Sequence, residues 1–210
     1  GKVFGNYTYS GEIGRRAREL GAHEAVLFGP YVLGDSGKKE YLNHWEGKEA
    51  HDKLAKGGVL ADGPGEDVLF FTLSRAGKIE KMLVQPRDTG ILAGTTREYL
   101  INYLAPSMGI GVEEYPVSIV DLKNKSVQVM AMCGNAANVV LIRELGVYDS
   151  GLKKMTSFEL SMNSYTKEFM ERFDDEVSGR ANPSGDHLLS RVELDHEARN
   201  ELLKAYSEWF

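Results

Sequence analysis

A chain of 210 residues can bury roughly 70% of its unfolded surface, enough for one large domain or two small ones. A formal net charge of -6 and a pI of about 5.5 argue against nucleic acid or an anionic membrane as the main partner. The single cysteine, Cys133, excludes an intramolecular disulfide, and no apolar run approaches the roughly 20 residues of a membrane span.

In chain order, Ile13, Ala17 and Leu20 recur at helical spacing and predict a helix over Gly11 to Ala22, with Ser10 as N-cap and Gly21 as its stop. Glu24 to Phe28 reads as a short buried strand. Gly29 to Gly58 is polar and weakly periodic, with a turn signal at Gly34-Asp35-Ser36-Gly37 and room for a short helix within Glu40 to Lys56. Asp67 to Leu73 and Lys78 to Gln85 are rich in apolar and β-branched residues and predict a hairpin around Ser74 to Gly77. Thr96 to Ala105 predicts a helix that Pro106 ends or closely follows. Val112 to Leu122 and Ser126 to Met132 predict strands, and Val139 to Ile142, with Val147 and Tyr148, suggests another. Phe169, Phe173 and Val177 repeat every four residues and predict a helix over Ser164 to Val177. Ser178 to Asp186 is a polar loop, and a charged amphipathic helix closes the chain over Leu194 to Trp209. There is no regular βαβ alternation, so the class is mixed α+β in a single domain over 1–210. The 29–58 region is read as an insertion and 187–210 as the segment bearing the final helix.

Four segments hold the residues that could carry chemistry. A lone lysine near a terminus, such as Lys2, is ordinarily a solvated charge. Ala61-Asp62-Gly63-Pro64-Gly65-Glu66-Asp67 is by itself a turn-rich loop before a strand. Leu92-Ala93-Gly94-Thr95-Thr96-Arg97 says more. A glycine and two threonines at a predicted helix start present backbone N–H groups and hydroxyls, the outline of a phosphate site. The plainer reading is that Thr95 or Thr96 caps the helix. Cys133-Gly134-Asn135-Ala136-Ala137 follows a predicted strand, and Cys133 has no basic neighbour in sequence to activate it. The five histidines show no metal-ligand spacing, and no Ser/His/Asp constellation or P-loop is present.

Taken with Lys2-Val3-Phe4-Gly5-Asn6-Tyr7, these segments resemble, in order, the C-terminal lysine-bearing domain of the branched-chain aminotransferases, the class IV (fold type IV) pyridoxal-phosphate enzymes. The resemblance covers roughly residues 2 to 145. It implies the mixed sheets and flanking helices of that large domain, and pyridoxal 5'-phosphate as cofactor. By this likeness Lys2 is the lysine that bonds covalently to the cofactor and shuttles protons. Tyr7 hydrogen-bonds the cofactor's phenolate oxygen, and Asp62 pairs with its pyridinium nitrogen. Thr95, Thr96 and Asn135 bind its phosphate. The pattern departs at Phe4, where the family has glycine, and at Asp62, where it has glutamate. Asp67 replaces asparagine and Asn135 replaces threonine. The family's preceding domain, with a phosphate-binding arginine and part of the substrate pocket, is absent from this sequence.

The resemblance implies transamination between an amino acid and a 2-oxo acid. The departures argue that this chain alone does not catalyse it. A catalytically inactive relative, serving as a structural or interaction subunit of a larger complex, is the alternative, and a bare phosphate- or cofactor-binding module comes last. Either main reading calls for another protein chain or a second copy to cover the side of the missing domain. The expected setting is intracellular, in the cytoplasm or mitochondrial matrix, without nucleic acid, membrane span or metal.

Overall fold

A computed structural model describes residues 4–34, 36–42, 48–92, 94–134, 138–149 and 154–177. The chain divides into two compact units, Gly1–Met170 and Glu171–Phe210. Everything that positions the candidate site lies in the first. The final helix expected over Leu194 to Trp209 falls outside the described residues.

Helix α1 (Phe4–Glu19) begins seven residues before the predicted start, so Ser10 lies inside it and does not cap it. The stop was legible in the sequence. Gly21 adopts φ +83°, the Gly21 N–H donates to the Arg18 carbonyl at 2.9 Å and the Ala22 N–H to the Ala17 carbonyl at 3.0 Å. This is the paired bonding of a left-handed glycine terminus.

The 29–58 region carries regular structure. It holds β1 (Phe28–Leu33), β2 (Lys39–Tyr41) and helix α2 (Lys48–Gly57), which runs into β3 (Gly58–Leu60). The strand expected over Glu24 to Phe28 therefore starts only at Phe28. β1 is central in an antiparallel sheet of order β2-β1-β3, and the β1–β2 connection falls at the Gly34–Gly37 turn. Polar composition concealed these elements because β2 is exposed along its whole length. The hairpin is held from below. The Tyr31 hydroxyl, fully buried, donates to Asp88 Oδ1 at 3.0 Å, and Lys39 forms an ion pair with the same carboxylate. Burial, with the Asp88 carboxylate adding to it, pushes the Tyr31 hydroxyl up to about 12. Asp88 sits in a short 3-10 turn (Arg87–Thr89) that leads into the Leu92–Arg97 segment.

The main sheet has five strands in the order β6-β5-β4-β7-β8. β4 (Asp67–Leu73) and β5 (Ile79–Val84) form the predicted hairpin. β7 (Val129–Gly134) and β8 (Asn138–Ile142) continue the sheet antiparallel, and β6 (Gly111–Glu114) adds parallel to β5. β4 is covered on both faces, so it reads as a continuous apolar run. Val68 and Phe70 face a core with Leu60, Leu83, Ile119 and Met130. On the opposite face Phe71 meets Phe169 edge-on at 5.2 Å between ring centroids.

The helix predicted over Thr96 to Ala105 runs as α3 (Thr95–Tyr99), a π-helical stretch Leu100–Leu104, and α4 (Ala105–Ser107). Pro106 lies near the end of this continuous helical run, which stops one residue later at Ser107. The strand expected over Val112 to Leu122 is split. After β6 the chain turns into α5 (Ile119–Lys123). The cause is Asp121, whose carboxylate accepts from the Ser118 N–H and hydroxyl, both at 2.8 Å, and from the Tyr115 hydroxyl at 3.0 Å. A buried Asp with these donors favours a helix start over continued extension. β9 (Glu144–Asp149) and β10 (Lys154–Glu159) form a separate antiparallel ribbon; the single strand expected to run on to Val147 and Tyr148 is thus two, and β10 was not foreseen. α6 (Ser164–Val177) matches its prediction; Asn163 Oδ1 accepts from the Tyr165 and Thr166 N–H groups at 3.0 Å.

Replacing fully buried Phe70 by alanine opens a cavity in the main core and is expected to cost about 3–5 kcal/mol of stability. Met162→Ala, at an exposed position, is expected to change stability by roughly 0.5 kcal/mol or less. Denaturant titration of both variants checks the contrast, and equal losses would place the core elsewhere.

Candidate cofactor site

The site is built on the loop between β3 and β4. Its main chain is fixed first: the Ala61 N–H donates to the Leu27 carbonyl at 2.8 Å, and the Leu27 N–H to the Asp62 carbonyl at 2.9 Å. The Asp62 side chain then reaches across the chain. Its Oδ2 accepts from the Leu92 N–H at 3.0 Å. This bond joins the second of the four sequence segments to the third.

Two residues after Leu92 comes Gly94, which packs on Asp67, the first residue of β4. A Cβ at Gly94 would overlap Asp67 Oδ2 and stand 2.9 Å from Cγ. Only glycine permits this approach. Asp67 pairs in register with Cys133 on β7, which brings in the fourth segment, and Gly134 lies against Glu66. Segments two, three and four therefore converge at one end of the main sheet.

The electrostatics are those of a crowded anionic corner. Burial, and to a smaller degree the Asp67 charge, push the Asp62 carboxyl up to about 6; the N–H groups of Leu92 and Val68 and the Arg97 charge oppose them. The Cys133 thiol is fully buried, and burial together with Asp67 and Asp62 pushes it well above its usual range. It is a neutral packed side chain, not a nucleophile.

Gly94 is the N-cap of α3, so Thr95 and Thr96 are the first two helical residues. The capping reading of these threonines therefore fails. Thr95 is exposed and Thr96 half-buried. Tyr7 lies on α1, but its side chain falls outside the described part of the structure, as do Lys2 and Asn135. Arg97 was not singled out by the sequence reading. Its guanidinium is buried and donates to the Gln85 carbonyl at 3.1 Å and to Glu98 Oε1 at 3.2 Å. An arginine immediately after Gly-Thr-Thr was the available signal. Gln85 is itself held by a reciprocal pair of 3.1 Å bonds with the main chain of Val117.

The described residues fit a bound pyridoxal phosphate in part. Asp62 is a fixed, half-buried carboxylate suited to a cationic ring nitrogen, and Gly94 with the two threonines offers a close main-chain approach. Against this, the Asp67 carboxylate lies on the Gly94 side of that cradle. Among the described residues, no group of three His, Cys, Asp or Glu side chains could hold a metal ion, and no helix is long and apolar enough to cross a membrane.

The fold is that of a fold-type-IV aminotransferase domain. The chain superposes on the branched-chain aminotransferase of Thermoproteus uzoniensis, solved with norvaline, with a TM-score of 0.58 and 21% identity, over 87% of this chain and 46% of that one. The Escherichia coli branched-chain aminotransferase gives 0.55 and 21%, over 86% and 47%. The PLP-form of the Thermobaculum terrenum enzyme gives 0.52 and 19%, over 95% and 47%. This chain thus spans less than half the length of these solved structures, and at such identities the likeness is one of fold. No family model matches the chain, and no curated protein does.

The raised Asp62 carboxyl carries a pH signature. Its folded value of about 6 lies above its ordinary 3.8, so the folded state holds the proton more tightly. Protonated Asp62 carries no penalty below pH 3.8; the penalty grows as pH rises towards about 6 and is complete above it. Ionising Asp62 at pH 7 is expected to cost roughly 2–3 kcal/mol. Asp62→Asn should therefore gain stability relative to the parent on going from pH 4 to pH 7. A parent–variant difference that stays flat over that range would show that Asp62 is not held this way.

Proposed function

We propose that this chain is the cofactor-binding part of a branched-chain-type aminotransferase, moving an amino group between an amino acid and a 2-oxo acid. The observation that carries this reading is the Asp62–Leu92 bond together with the Gly94–Asp67 contact. They gather three motifs, separate in sequence, at one corner of a fold shared with enzymes of that name. Pyridoxal phosphate, when bound, supplies the electron sink for moving the amino group. Asp62 holds a negative charge where the ring nitrogen would lie, and Thr95 and Thr96 offer hydroxyls to its phosphate. Lys2 is the amine that bonds to the cofactor, Tyr7 orients its phenolate oxygen, and Asn135 takes a further phosphate contact. The partner in this proposal is another protein chain or a second copy that contributes the remaining pocket wall.

A second reading has one specific observation in its favour. Asp67 places a buried carboxylate against the glycine of the phosphate segment. A site so altered suits a chain kept as a structural or interaction subunit, with catalysis impaired.

Titration of the purified chain with pyridoxal phosphate is expected to produce a visible absorbance band. Borohydride reduction and peptide mapping should place the label on Lys2, and Lys2→Ala should abolish both band and label. Label scattered over surface lysines, or no band at all, would remove the cofactor-binding reading. A band without transaminase activity would favour the subunit reading.

A further inference from the structure

We infer that the β1–β2 hairpin is a brace for the candidate site: it sets the span between Asp62 and Leu92, with Tyr31 and Lys39 as positioning residues for the Asp62 carboxylate. The role rests on the reading of Asp62 as the partner of the cofactor's ring nitrogen. It gives the region read in the sequence as an insertion a part in the site.

Three alternate residues at the start of the hairpin carry the geometry. Leu27 brackets Asp62, its carbonyl accepting from the Ala61 N–H and its own N–H donating to the Asp62 carbonyl. Gly29 packs on the turn before Leu92, where a Cβ would stand 3.2 Å from both Cβ and the carbonyl oxygen of Thr89. Tyr31 reaches Asp88, its hydroxyl donating to Oδ1 at 3.0 Å. One stretch of chain thus holds both ends of the bond between the Leu92 N–H and Asp62.

β2 completes the grip. Lys39, opposite Leu33 in register, pairs with Asp88 and stands 4.8 Å from the centre of the Tyr31 ring. Tyr41 meets the same ring edge-on at 5.4 Å between centroids. Lys39, and after it Tyr31, hold the Asp88 carboxyl below its ordinary value, so the anchor is charged at neutral pH. The turn has little slack: the Thr89 N–H and hydroxyl both donate to the Pro86 carbonyl, at 3.0 and 2.7 Å, and Gly90 is left-handed at φ +87°. A shift of Asp88 is passed on to Leu92, four residues later.

Burial and Asp67 disfavour the Asp62 anion, whereas the N–H groups of Leu92 and Val68 and the Arg97 charge favour it. Cys133, a further titratable neighbour among the described residues, is neutral. Releasing Leu92 removes a contact that favours the anion, so the midpoint of Asp62 rises.

Tyr31→Phe keeps the buried ring and removes the hydroxyl. Lys39→Gln, on an exposed strand, loosens the same anchor without touching the core and decides the question if the first variant does not fold. In unliganded Tyr31→Phe, the Leu92 amide is expected to exchange about tenfold faster relative to the amides of β4 and β7. The Asp62 midpoint, read by carboxyl NMR, is expected to rise by about 0.5 pH unit or more. Affinity for pyridoxal phosphate at pH 7 should fall about threefold or more. Lys39→Gln should move all three in the same direction by less, as befits a partly exposed ion pair.

Leu92 exchange or an Asp62 midpoint that stays unchanged in both variants would overturn the brace and leave the cofactor site standing. So would an unchanged affinity once Leu92 is released. A parent chain that does not bind pyridoxal phosphate removes the cofactor reading, and the positioning role falls with it.

Discussion

The pairing of β4 on both of its edges governs the geometry of the site. β5 and β7 fix its register, and the cores on its two faces fix its orientation, so Asp67 has no freedom at the point where the strand begins. The loop before it is pinned at Asp62 by the main chain of Leu27 and by the Leu92 N–H. The corner at which the three motifs meet is a consequence of these constraints. Their local sequences alone would allow ordinary turns.

The approach to that corner is equally constrained. The Leu92–Arg97 segment follows a 3-10 turn whose Asp88 is held by Tyr31 and Lys39 from the first sheet. It enters a helix anchored by the buried Arg97 on the Gln85 carbonyl. A hydrogen bond from a charged donor to a buried acceptor is among the stronger single contacts. The segment is thus restrained before and after Gly94, and a ligand there meets a preformed surface. Such preformation lowers the ordering cost of binding.

Most of the elements of the main sheet could be read from the chain. The β4–β5 hairpin, β7, β8 and α6 announce themselves by apolar runs or a four-residue repeat, because burial of one or both faces leaves that trace. The misreadings share a cause. Residues 29–58 look like a polar loop because β2 is exposed, yet β1 and β3 are largely buried. Val112 to Leu122 looks like one strand because apolar residues continue past Ser118; Asp121 turns the chain into a helix through bonds to Ser118 and Tyr115. α1 begins before its apolar periodicity does, with helical backbone already at Phe4.

The sequence alone determined the class of fold and the residues worth watching: the order and spacing of four short motifs pointed to the same architecture that the solved aminotransferases share. Thr95 and Thr96 stood out as two hydroxyls after a glycine at a predicted helix start, although capping was the plainer local reading. Tertiary structure alone decided what these residues touch. The bond from Leu92 to Asp62 spans 30 positions, and the meeting of Gly94 with Asp67 depends on a strand register set by β7. Long-range pairing of this kind leaves no periodic trace in a single chain. The anionic character of the corner followed in the same way, because the Asp62 carboxyl is raised by burial and by a neighbour that packing brings beside it.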